Sequence, residues 1–113
     1  MKKIAMVNCL NAGEICAATG CMTAFNDRKA SFAPYGDEEL RLTAFMRCNG
    51  CGKDPLTDKG TIGKVDWIVK EKTDVVHFGA CTKNMQSGQE CETIGKIAGM
   101  FEEAGIAVVR GTH

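Results

Sequence analysis

Ile4-Ala5-Met6-Val7, running into Asn8-Cys9, sets four apolar side chains in an unbroken row and ends on an amide and a thiol. A strand with one wet face alternates apolar and polar residues, whereas a strand covered on both faces is apolar throughout; this run therefore reads as a buried strand of a parallel sheet. Asp74-Val75-Val76-His77-Phe78 has the same character and ends in Gly79-Ala80-Cys81. Leu40, Leu42, Ala44 and Met46 instead alternate with Arg41, Thr43, Phe45 and Arg47. That period of two predicts an edge strand with one face partly wet, which delivers Cys48-Asn49-Gly50-Cys51-Gly52. Ile106 to Val109 supplies a fourth strand.

Helical spacing fills the intervals. After an Asn11-Ala12-Gly13-Glu14 turn, Ile15, Ala18, Met22 and Phe25 predict a first helix, with Cys16 in its first turn and Cys21 beside its apolar stripe. Asp58 offers a cap to a second helix carrying Ile62, Val65, Ile68 and Val69, with Trp67 off the stripe. Cys91 opens a third, with Ile94, Ile97, Ala98 and Phe101 inward and Gly105 as its stop. Asp27 to Asp37 reads as a long loop anchored by Phe32 and Tyr35. Strands and helices in strict alternation predict an α/β fold, a three-layer α/β/α arrangement with right-handed crossovers. With the partly polar strand at an edge, the four parallel strands take the order 2-1-3-4, flavodoxin-like in miniature. At 113 residues and 44% hydrophobic content, residues 1–113 are expected to form one domain.

Fourteen acidic and fourteen basic residues cancel, which leaves no basic face for phosphate backbones, so no nucleic-acid partner is expected. No apolar run approaches the roughly 20 residues of a membrane helix, and the short run after Met1-Lys2-Lys3 is no signal segment. A cytoplasmic protein with no membrane partner is expected. Seven cysteines, an odd number, stay free in a reducing compartment, where they act as ligands, redox groups or small apolar residues.

The predicted topology gives these thiols a common address. All C-terminal strand ends of a parallel sheet share one rim, and ligands bind there where the strand order reverses, here between the strands ending in Cys9 and Cys81. Strands lie ~4.8 Å apart, and two sulfurs each ~2.3 Å from a tetrahedral zinc lie about 3.8 Å apart, so neighbouring strand ends can share one ion. Cys9, Cys48, Cys51 and Cys81 form the primary candidate metal set. Cys16, Cys21, Cys91 and His113 stand ready to complete or replace its members.

Cys9, the Gly13-Glu14-Ile15-Cys16 turn, Cys48 to Cys51, the Val75 to Cys81 strand end, Cys91 and the closing Gly111-Thr112-His113 together resemble the CGGC-domain family, small metal-binding proteins named for a Cys-Gly-Gly-Cys motif. The resemblance covers nearly the whole chain. Here the motif reads Cys48-Asn49-Gly50-Cys51, which keeps both thiols and changes only the backbone demands of the turn. The resemblance implies a metal partner on Cys9, Cys16, Cys48, Cys51, Cys81, Cys91 and His113, and it names no reaction. Zinc and an iron-sulfur cluster both accept thiolate tetrads.

Two other functions fit the same residues. Cys48 and Cys51 form a thiol-disulfide couple if the first attacks and the second resolves, although Gly52-Lys53-Asp54-Pro55 separates them from the helix start that lowers a thiol pKa in such couples. A partner-binding module with inert cysteines is the other. Phosphatase chemistry at Cys9 is set aside, because the arginine such a loop needs six residues later is Ile15. His77, inside a strand, reads as a satisfied core histidine, and His113 as a tail ligand that can fold back over Cys81 and Cys91.

Overall fold

The computed structural model describes residues 1–84 and 86–113. Four strands, β1 (Lys2–Asn8), β2 (Leu40–Arg47), β3 (Val75–Phe78) and β4 (Ala107–Val109), form a parallel sheet in the order β2-β1-β3-β4. Three helices connect them: α1 (Thr19–Asp27), α2 (Lys59–Lys70) and α3 (Glu92–Glu103). Short 3-10 segments lie at Asn11–Glu14, Ala30–Tyr35 and Ala80–Thr82.

Each face of the sheet has its own apolar layer. Ala5, Val7, Val76 and Phe78 pack under Val65 and Ile68 of α2 and Ile94, Ile97 and Phe101 of α3. Ile4, Met6 and Val75 point the other way, onto Cys21 and Ala24 of α1 and onto Phe32. The central strands are buried on both faces, and from Ile4 to Val7 and, His77 apart, from Val75 to Phe78 they are apolar, as the expected α/β/α layering requires. With α1 on one face and α2 and α3 on the other, the order reverses between β1 and β3.

The edge strand departs from its predicted alternation. Ile4 pairs with Leu42 but Ala5 pairs with Ala44, so a bulge leaves Thr43 unpaired in the register. Thr43 Oγ1 donates to Ile4 O at 3.2 Å and meets Thr73 Oγ1 at 2.9 Å. An inserted residue reverses the facing of everything after it. Leu40, Leu42 and Phe45 therefore join the α1 layer, while Ala44, Met46 and Cys48 join the α2–α3 layer.

The first helix also starts later than its spacing predicts. Ala18, at φ 62°, is its N-cap, and Ile15 is 94% exposed. Cys16 lies before the helix, its Sγ accepting Ala18 N–H at 3.3 Å, a local bond that favours the turn over another helical turn. Asp58 caps α2 as expected, accepting Thr61 N–H at 3.1 Å. Phe32 is fully buried and Tyr35 packs beside it, so the 27–37 segment is anchored by the two predicted side chains. Among the described residues no helix is long and apolar enough to cross a membrane.

Candidate metal centre

The strand ends carry the thiols to one rim. Cys48 N–H donates to Asn8 O and Gly79 N–H to Val7 O, both at 3.0 Å, which extends the ladders one step past the strands. The chain leaving β1 then turns its amides onto its neighbours' sulfurs. Cys9 N–H donates to Cys81 Sγ at 3.3 Å, and Leu10 N–H to Cys48 Sγ at 3.4 Å. The Cys9 N–H works toward the Cys81 thiolate, the form that binds metal.

Cys9, Cys51, Cys81 and Cys91 line a single cleft of about 380 Å³, walled further by Thr82 and Glu90. They come from four different segments: the β1 exit, the motif turn, the 3-10 turn after β3, and the N-cap of α3. Burial pushes the Cys81 thiol up, against the opposing Cys9 N–H, and the other rim thiols add to the rise. Cys51 is raised chiefly by the Cys91 thiol beside it. Each thiolate formed here thus disfavours the next, and a cation in the cleft would relieve that repulsion. Among the described residues no three His, Cys, Asp or Glu side chains are yet grouped closely enough to hold an ion. The four thiols share a cleft without converging on one point.

The remaining candidates fall elsewhere on the rim. Cys48 does not line the cleft; it is buried in the core layer with Met46 and Val65. His113 does not reach over Cys81 and Cys91. It lies against Gly20, where an added Cβ would come within 3.0 Å of the imidazole, and its Nδ1 is 3.7 Å from Cys21 Sγ. The tail is drawn to that side by His77 Nδ1, 2.9 Å from Gly111 O, and by Ser31 N–H donating to Thr112 O at 3.3 Å. A carbonyl only accepts, so His77 carries its proton on Nδ1 and its Nε2 accepts from Tyr35 OH at 2.7 Å. His77 is therefore the satisfied core histidine its strand position suggests.

Cys21, a member of the second candidate set that the sequence places beside a helix stripe, sits at the centre of this second group. Its Sγ is 3.2 Å from Thr112 Oγ1 and accepts from Asn8 Nδ2 at 3.6 Å. Asn8 Oδ1 is buried without a partner among the described residues, pressed against the bare Cα of Gly79. Only Gly79 hinted at this in the sequence, since a close approach is what glycine permits.

Asn49 explains how the motif turn tolerates its changed residue. The left-handed position is Gly50, at φ +97°, and Asn49 instead uses its side chain. Its Nδ2 donates to Asp58 Oδ2 at 2.7 Å, and its Oδ1 accepts from Lys64 Nζ at 2.6 Å, tying the turn to the first two turns of α2.

A family model described as CGGC domain matches residues 3–113. No curated protein and no solved structure matches the chain.

Proposed function

The chain belongs to the CGGC-domain family, and from that premise we propose that it binds a soft metal, zinc or an iron-sulfur cluster, through thiolates at the C-terminal rim of its sheet. The observation that carries this reading is the cleft shared by Cys9, Cys51, Cys81 and Cys91. Four sulfurs are the donor set of a structural zinc or of a cubane cluster. Cys51, on a turn bracketed by Gly50 and Gly52, has the freedom to swing inward. Cys48, Cys16, Cys21 and His113, which do not line this cleft, form a reserve of soft donors. Residues 1–113 act as one domain in this reading, in the reducing cytoplasm where seven thiols stay free.

Protein purified without oxygen should carry zinc without colour, or iron and sulfide with visible absorption. A chelator should lower its melting temperature, because binding free energy is folding free energy for a site that exists only in the native state. Serine at Cys9, Cys51, Cys81 or Cys91 should each reduce the metal content. No metal on purification and no uptake on reconstitution would sink the proposal.

A further inference from the structure

The geometry points to a reversible disulfide between Cys51 and Cys91, rather than between the two cysteines of the motif, as an oxidative switch on the cleft. Cys48 is 3% exposed, and its Sγ is engaged by Leu10 N–H. Cys51 is exposed and Cys91 half-buried, and of the cleft's thiols it is that of Cys91 which weighs most on the Cys51 sulfur. Both line the same cleft. Cys91 is fixed on a rigid frame: its N–H donates to Thr82 O and its carbonyl accepts from Gly95 N–H, both at 3.0 Å, and its side chain makes no capping bond. Cys51 sits beside Gly50, whose φ of +97° marks a turn built on glycine freedom. A sulfur–sulfur bond is ~2.05 Å long, so one partner must close in, and the glycine turn is the side that can.

The oxidant is a hydroperoxide, which meets the exposed thiol first. With hydrogen peroxide, the Cys51 sulfur attacks one oxygen, the O–O bond breaks, and sulfenic acid and water form. Cys91 sulfur then attacks Cys51 sulfur and expels the hydroxyl as a second water, its own proton leaving with it. Two thiols lose two electrons, and one peroxide becomes two waters. A dithiol restores the pair by the reverse exchange and is itself oxidised to a disulfide. Closure removes two of the four cleft thiols, leaving Cys9 and Cys81. This regulatory half rests on the metal-binding reading; the bridge itself does not.

Metal-free, fully reduced protein should be treated with one equivalent of hydrogen peroxide, alkylated and digested with trypsin. Cys48 and Cys51 share the peptide 48–53, and Cys91 lies in 84–96. The expected product is a cross-link of these two peptides. Fragmentation within 48–53 should place it on Cys51, and Cys51→Ser and Cys91→Ser should each abolish it. A ring closed inside 48–53, a link to any other peptide, or sulfinic acid with no link would overturn the proposal. Zinc titration of the reduced and bridged forms reads the second half, with affinity expected to fall more than ~10-fold on bridging. Unchanged zinc affinity in the bridged form overturns the switch. Absence of zinc binding in the reduced form, with no iron-sulfur uptake on reconstitution, overturns the metal reading and the switch with it, and the mapped bridge then stands or falls by its own result.

Discussion

The Asp58 carboxylate accepts from Asn49 Nδ2 at 2.7 Å, from Thr61 Oγ1 at 2.7 Å and from Thr61 N–H at 3.1 Å, and these bonds, Asn49's foremost, hold its pKa down from 3.8 to about 2. A depressed folded value means the unfolded chain takes up the proton first, so Asp58 stabilises the fold above pH 3.8 and this contribution is lost as pH falls toward 2. Replacing Asn49 with glycine, which restores the family's motif residue, should flatten that acid limb in a pH-dependent urea titration. An unchanged slope would show that the Asn49 bond is not what holds the carboxylate. Gly79 makes the opposite kind of demand. A methyl there would overlap Asn8 Oδ1, and Gly79→Ala should cost about 1–3 kcal/mol by urea denaturation, the usual cost of overpacking. Gly99, inside α3 with open space around its missing Cβ, should gain about 0.5–1 kcal/mol on substitution by alanine.

At the scale of elements, the tail after β4 is held by β3 through one imidazole. Tyr35 OH, His77 and Gly111 O form a chain in which His77 must stay neutral to accept from the phenol. Burial pushes the His77 pKa below its ordinary 6.5. The unfolded chain therefore binds this proton more readily than the folded one, so His77 lowers stability as pH drops beneath 6.5 and has no such effect above it. In His77→Gln the pH dependence of the melting temperature between neutrality and pH 5 should weaken, whatever the absolute cost of the change. The order of elements was legible, because each apolar run had the length and period of one element. The start of α1 and the facing of β2 were not. Ala18 in a left-handed cap and Thr43 in a bulge each break a period at one residue, Ala18 through the local Cys16 sulfur and Thr43 through the distant Ile4 O and Thr73, and neither break shows in an apolar period.

Over the whole molecule, the surface carries a large exposed apolar side chain at Trp67, the sole tryptophan, which lies off the α2 stripe as its spacing predicts and is 70% exposed with Lys70 Nζ 5.8 Å from its ring. Its emission should already resemble that of a water-exposed indole in the native state and shift little on unfolding, whereas circular dichroism should report a full transition. A large red shift on denaturation would mean that another surface covers this face. The sheet order, the edge position of β2 and the gathering of thiols on one rim were all determined by the sequence, since strand burial and crossover handedness leave few arrangements open. Which thiols face each other was decided only by the tertiary structure. Cys51 shares its cleft with Cys91 and not with Cys48, and His113 meets Cys21 rather than Cys81. Strand periodicity places a residue at a rim but says nothing of the turn that follows, and those turns are set by distant partners: Lys64 and Asp58 for the motif, His77 and Ser31 for the tail.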